Sequence, residues 1–255
     1  MRSGSALRAA ARLLGDVEAL LLPAVCLGCE RPLRPRERDV ACCAACRWAM
    51  RRIAPPKCER CGQPLDAWEV RDAGSRLSCG FCRSWPDQLA WAASATWLEV
   101  GPARELAHAL KYGGWRCAAR PMADIMAREC AARLSQIELL VPIPLGATRL
   151  RERGHNQAEE LARALGAAVG VDVAPQVLRR RRDTKTQTSL TRTERWANVS
   201  GAFLAQADDV RGRRVALVDD VLTTGATLAA AAVALAEAGA RDIGALSFAR
   251  AVVPT

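Results

Sequence analysis

Four Cys-x-x-Cys pairs stand in the first third of the chain: Cys26/Cys29, Cys43/Cys46, Cys58/Cys61 and Cys79/Cys82. Nine of the eleven cysteines lie between Cys26 and Cys82, so cysteine marks a region and not the whole protein. A Cys-x-x-Cys turn sets two thiolates on one side of a metal at a Zn–S distance of about 2.3 Å, and two such turns close a tetrahedron. The first two pairs are separated by 13 residues and the last two by 17. The second spacing is that of a zinc ribbon and the first is slightly shorter. Pro32, Pro35, Pro55, Pro56 and Pro64 interrupt any long helix or central strand here. The segment therefore has little core of its own, and bound metal would supply its folding free energy. Two structural zinc sites are expected, with Cys26, Cys29, Cys43, Cys46, Cys58, Cys61, Cys79 and Cys82 as ligands. Pairing in sequence order is the simplest arrangement. Interleaved pairing, a single zinc, or Cys42 standing in for its neighbour Cys43, are the alternatives. Disulfides suit a secreted chain, and a redox Cys-x-x-Cys is usually single. Cys117 and Cys130 fall outside the pattern and read as buried free thiols.

The chain has 255 residues and a net charge of +10, and only Lys57, Lys111 and Lys185 are lysines. Arginine, whose planar fork of donors suits phosphate, carries the rest. Such a surface is either a solvated basic face or the footprint of a polyanion such as nucleic acid or a phosphorylated metabolite. Half the residues are hydrophobic and a quarter are charged, which excludes disorder over most of the length. No apolar run reaches the roughly 20 residues of a membrane helix. Arg2, Arg8 and Arg12 followed by leucines loosely resemble a targeting peptide, but Asp16 and Glu18 break its apolar stretch. Residues 6–22 read instead as an amphipathic helix, and the protein as cytoplasmic.

From about Leu89 the pattern changes to short apolar strands alternating with helical segments. Strands are expected at Ala90–Leu98, Leu139–Ile143, Val215–Val218 and Ile243–Phe248. Helices are expected at Ala103–Tyr112, Arg120–Leu134, Gln157–Leu165 and Thr227–Ala238. Asn156 and Glu159 make a capping-box-like start for the third of these and Gly166 its stop. The alternation predicts an α/β fold: a parallel sheet flanked by helices, preceded by a small Cys-rich zinc-ribbon domain. The expected division is 1–22 N-terminal helix, 23–86 double zinc ribbon and 87–255 α/β domain. Ligands on such sheets sit at the carboxyl ends of strands.

The most informative such end is Ala216-Leu-Val-Asp-Asp-Val-Leu-Thr-Thr-Gly-Ala-Thr-Leu228. An apolar strand ends in Asp219 and Asp220. A Thr/Gly turn follows and then an Ala-rich helix. A helix N-terminus offers unpaired N–H groups and partial positive charge to a phosphate, and Thr223, Thr224 and Thr227 add hydroxyls. Two carboxylates beside a phosphate site would repel a bare phosphate, so their partner is a vicinal diol or a divalent cation. The ligand deduced is a sugar phosphate with free adjacent hydroxyls.

This string resembles the phosphoribosyl pyrophosphate (PRPP) signature of type I phosphoribosyltransferases. With the Cys pairs, Val141-Pro-Ile-Pro-Leu145 and Arg153-Gly-His-Asn-Gln-Ala158, the chain from about residue 20 resembles the ComF/GntX family. The resemblance implies that Asp219 and Asp220 hold the ribose 2′ and 3′ hydroxyls. It implies that Thr223, Thr224, Gly225, Ala226 and Thr227 wrap the 5′-phosphate, with Val221 a further PRPP contact. It places a pyrophosphate loop with a strained peptide at Leu145-Gly-Ala-Thr-Arg149, with Leu145, Gly146 and Arg149 as contacts. It makes Arg179 to Phe203 a flexible active-site loop, with Arg192 and Arg195 joining the Asp pair in catalysis, and it lets Lys111 reach the ligand. An ordinary helix end is the other reading of Lys111, and His108 on the same helix reads as a surface residue. His155 departs from an expected Phe. Mg²⁺ bound with PRPP and an unidentified acceptor are implied for a transferase acting in DNA uptake. The alternative is a single-stranded-DNA-binding or scaffold component of the uptake machinery for which PRPP is only a regulator. The seven tryptophans are scattered and read mostly as core or interface packing.

Overall fold

The computed structural model describes residues 24–34, 37, 41–66, 79–181 and 201–251. The expected N-terminal helix at 6–22 and the arginines Arg192 and Arg195 lie outside the described residues.

Four parallel strands form the central sheet: β1 (Trp91–Leu98), β2 (Leu139–Pro142), β5 (Arg214–Leu222) and β6 (Asp242–Ala251), in the order β1-β6-β5-β2. The middle strands β5 and β6 carry near-continuous apolar runs because a parallel sheet between helices is covered on both faces. Alternation within β5 sends Ala216 and Val218 into one hydrophobic core and Val215 and Leu217 into the other. The first core is closed by helices α2 (Pro102–Tyr112), α3 (Ala119–Glu129) and α6 (Gln157–Val169), and the second by α7 (Ala226–Glu237). Short helices α1 (Ala44–Ala49), α4 (Ala131–Leu134) and α5 (Ala147–Arg153) complete the α-helical set of the described residues.

Each cysteine cluster belongs to a different face. Cys26, Cys43 and Cys46 join the core of α2, α3 and α6, whereas Cys58, Cys61 and Cys82 join that of α7. The cysteine-rich segment is thus packed on the sheet from both sides.

Several expected boundaries move. β5 continues past Val218 through both aspartates to Leu222, because the longer β6 keeps offering partners, with Asp219 opposite Ser247 and Leu222 opposite Arg250. The expected helix Arg120–Leu134 breaks at Cys130 into α3 and α4. Gly166 does not stop α6, which ends at Gly170 in the left-handed conformation, φ 72°. Gly166 is instead a close-packing position: a Cβ there would meet the Val171 carbonyl oxygen at 2.6 Å. Asn156 does cap α6, accepting from Ala158 N, while Glu159 pairs with Arg163 one turn on. Cys117 is exposed, not buried, whereas Cys130 is buried.

The stretch from Arg179 to Phe203 is not structureless at its ends. Strands β3 (Leu178–Arg180) and β4 (Phe203–Ala205) pair antiparallel, so the segment between them leaves and returns at one place beside the sheet.

Candidate functional site

A cleft of about 820 Å³ opens at the carboxyl ends of β2 and β5. Three segments build its walls: Ile143–Leu145 after β2, Asp219–Thr223 at the end of β5, and Gly225–Leu228 at the start of α7. Lys111–Gly114 from the end of α2 closes a further side, and Arg149, Arg153 and Arg180 bring positive charge. Of the residues singled out in the sequence, the cleft gathers Lys111, Leu145, Arg149, Asp219, Asp220, Val221, Thr223, Gly225, Ala226 and Thr227. Gly146 and Thr224 are not among its lining residues. Gly146 is buried at the start of α5, and Thr224 is buried with its hydroxyl accepting weakly from Ala226 N at 3.4 Å. The expected pyrophosphate loop is shorter than Leu145–Arg149, since α5 already begins at Ala147, and the expected strained peptide is not seen: from Ile143 to Arg153 no peptide bond is cis and no φ is positive.

The two aspartates differ. Asp220 is 2% exposed and lies 2.6 Å from Lys111 Nζ. That contact makes Lys111 part of the site's charge balance and not merely a helix-end cation. Burial alone would lower the pKa of Lys111, but attraction to Asp220 outweighs it and the net shift is upward. Asp219 accepts from Asp220 N at 2.9 Å. Burial, followed by repulsion from Asp220, pushes its carboxyl up to about 8, against the opposing pull of Lys111. One acid is therefore matched by Lys111, while burial and the neighbouring charge make its partner a weaker acid than an exposed aspartate.

His155 supports this arrangement. It is buried, with Nε2 2.7 Å from the Leu110 carbonyl oxygen and Nδ1 3.0 Å from that of Arg153. It thereby joins the end of α2, where Lys111 stands, to the turn between α5 and α6. A Phe would fill the space without those polar contacts. His108 is exposed, as expected.

The cysteines form two groups in sequence order, Cys26/Cys29/Cys43/Cys46 and Cys58/Cys61/Cys79/Cys82, with all Sγ atoms of a group within 4.8 Å of one another. Cys42 is buried beside the first group and does not replace Cys43. A tetrahedron of Zn–S bonds of about 2.3 Å has S···S edges of about 3.8 Å. Cys29–Cys43 is 3.9 Å, Cys58–Cys82 is 3.8 Å and Cys79–Cys82 is 3.9 Å, with Cys61–Cys79 closer at 3.4 Å. These distances fit zinc and exceed a disulfide of about 2.05 Å. Four thiolates around Zn²⁺ leave two negative charges, and buried Arg250 faces the second group with Nη2 3.9 Å from Cys61 Sγ.

Sequence reasoning does not single out Trp85 among the seven scattered tryptophans. It is 3% exposed, and its Nε1 donates to the Thr224 carbonyl at 3.1 Å. Its position three residues after Cys82 is the only sequence signal that could have found it.

The phosphoribosyl transferase domain family matches residues 120–252, and the double zinc ribbon domain family matches residues 17–84. The DNA utilization protein YhgH of Salmonella typhimurium (strain LT2) is 30% identical over 230 residues, which cover 88% of this chain and 96% of that protein. Competence protein F of Haemophilus influenzae is 35% identical over 126 residues, 48% of this chain and 55% of that one. Among solved structures, the glutamine PRPP amidotransferase from B. subtilis overlaps 51% of this chain and 26% of its own, with a TM-score of 0.36 and 21% identity. With the two domains matched in this order on one chain, and a relative aligned over nearly all its length, the chain belongs to the ComF family of double-zinc-ribbon proteins with a phosphoribosyl transferase domain.

Proposed function

We propose that the cleft binds PRPP together with Mg²⁺ and that the protein is a phosphoribosyltransferase whose acceptor is yet to be identified. The observation that carries this reading is the convergence of the Asp219/Asp220 pair, the Thr223–Thr227 turn and the start of α7 in one cleft with Lys111, Arg149 and Arg180. Asp219 and Asp220 accept from the ribose hydroxyls. Thr223, Gly225 and Thr227 surround the 5′-phosphate, where helix-end N–H groups favour an anion. Arg149 and Arg180 face the pyrophosphate. As the C1–O bond to pyrophosphate breaks, positive charge grows on the ribose and negative charge on the leaving group. The arginines oppose the second, and Mg²⁺ supplies further charge neutralisation when bound. Arg192 and Arg195, in the segment tethered by β3 and β4, are assigned to closure over the site and exclusion of water.

The same reading keeps the division 1–22, 23–86 and 87–255. It places the protein in the cytoplasm, where cysteines remain free to hold zinc. The relatives are named for DNA utilization and competence, and with a net charge of +10 this favours a role beside single-stranded DNA or its uptake machinery. Among the described residues no helix is long and apolar enough to cross a membrane.

Calorimetric titration with PRPP in the presence of Mg²⁺ tests the reading. Wild-type protein should bind, and Asp220→Ala should bind at least about 100-fold more weakly, given about 3 kcal/mol for hydrogen bonds to a charged, buried partner. Equal binding by both, or none by either, would refute the assignment. Single-stranded DNA binding that falls steeply with salt but survives Asp220→Ala would favour the second reading, in which PRPP only regulates.

A further inference from the structure

We propose that Trp85 is a positioning residue joining the second four-cysteine group to the phosphate loop, so that metal occupancy of that group and ligand binding at Thr223–Thr227 strengthen each other. The proposal rests on the reading of that loop as a sugar-phosphate site.

Trp85 does not line the cleft. It backs the loop from behind. Its Nε1 donates to the Thr224 carbonyl at 3.1 Å, and its ring lies against Gly225, where a Cβ would stand 2.5 Å from the indole. Gly225 also has a φ of 80°. Two independent constraints thus demand glycine: the left-handed backbone and the approach of the ring. The Thr224 carbonyl is buried, so without the indole it would lose its partner and the turn would lose a fixed orientation.

The indole is in turn fixed by the cysteine group. Trp85 N donates to the Cys82 carbonyl at 3.0 Å, and Phe81 meets the ring edge-on at 6.0 Å between centroids. Arg60, next to Cys61, donates to the carbonyls of Cys82 at 3.3 Å, Trp85 at 3.3 Å and Pro86 at 2.8 Å. The turn carrying Trp85 is therefore held by residues whose own positions depend on the four thiolates converging.

A second route reaches the other end of the loop. Arg250 on β6 donates to the Cys61 carbonyl at 2.7 Å and to Gln63 Oε1 at 2.9 Å. In the sheet register Arg250 stands opposite Leu222, the residue before Thr223. The phosphate loop is thus bracketed, at Leu222 through β6 and at Thr224–Gly225 through Trp85, by the same cysteine group. Among the described residues no such bracket reaches it from the first group, which packs with α2 and α3 on the opposite face. Coupling of this kind is reciprocal: whatever zinc does for the ligand, the ligand does for zinc.

The test uses the full chain loaded with zinc, with ribose 5-phosphate and inorganic pyrophosphate as probes. Release of zinc to a chromogenic chelator is followed with and without saturating ribose 5-phosphate. Affinities for both probes are measured on wild type and on Trp85→Phe, which keeps a ring and loses the N–H. The sugar phosphate should slow release of one of the two zinc equivalents several-fold in wild type and much less in Trp85→Phe. The variant should bind ribose 5-phosphate about 5- to 30-fold more weakly and pyrophosphate unchanged, which a general loss of structure would not produce. Ribose 5-phosphate binding equally to both proteins, or zinc release indifferent to it in wild type, overturns the coupling alone. Absence of ribose 5-phosphate binding to wild type overturns the coupling together with the functional reading beneath it.

Discussion

Within the proposed site, Asp219 is the carboxyl whose charge is expected to respond to pH near neutrality. Its carboxyl is raised from 3.8 to about 8 in the folded protein, so between those values the native state holds a proton that the unfolded chain has released. By linkage, the native state loses stability as pH rises through that window, and the loss is complete above the folded value. A diol donates to a carboxylate, so ligand binding favours the deprotonated form. Affinity for ribose 5-phosphate is therefore expected to rise by up to about tenfold per pH unit from about 6 towards 8 and then level off. Asp219→Asn should flatten that profile. A profile in calorimetry that falls over this range would contradict the assignment. Lys111 offers a second check at the same scale. Removing its charge leaves buried Asp220 without its ion-pair partner. Lys111→Met should cost about 2 kcal/mol in urea denaturation, below the roughly 3–5 kcal/mol of a fully buried pair because Lys111 is partly exposed.

Single positions also decide how elements meet. α6 passes Gly166 against the chain at Val171 and Val173, and Val173 bridges in parallel to Leu140 of β2. Helix propensity alone would make Gly166→Ala favourable by about 1 kcal/mol. The Cβ would stand 2.6 Å from both the Val171 carbonyl oxygen and Val173 Cγ2, and overpacking of this kind costs about 1–3 kcal/mol. The clash involves backbone, so it should win. Gly166→Ala is expected to lower the urea midpoint, and an increase would show that the Val171 turn yields easily. The same conflict explains why Gly166 reads as a helix stop. Glycine is common at helix ends, and a sequence does not display the chain crossing behind it.

At the scale of the molecule, the cysteine groups are part of the cores. One packs with α2, α3 and α6 and the other with α7 and β5, on opposite faces of one sheet. Arg250 enters from the last strand of the sheet to bond Cys61 and Gln63. Metal removal should therefore reach beyond the cysteine-rich segment itself. Two zinc equivalents per chain are expected by elemental analysis, and chelation should lower the melting temperature of the whole protein in calorimetry. An unchanged main transition, with only the cysteine-rich segment lost to protease, would mean that the sheet stands without its metal-bound covers. Arg250→Met would leave the Cys61 carbonyl without its guanidinium partner and should cost about 2–3 kcal/mol.

The sequence by itself determined what depends on local spacing. The Cys-x-x-Cys repeats marked the eight candidate ligands, though not how the pairs group, and alternating apolar runs marked the main strands and helices. The Asp219–Thr227 string marked the segment on which the cleft is built. Tertiary structure decided what depends on residues far apart in the chain. It carried β5 beyond Val218 by pairing it with β6, ended α6 at Gly170 and tied the arms of the Arg179–Phe203 segment into β3 and β4. It also brought Lys111 across to Asp220, and Trp85 to a carbonyl 139 residues away. A motif declares its own geometry because its residues share a turn. A hydrogen bond between an indole and a distant loop exists only after the chain has folded around the sheet, and no local pattern encodes it.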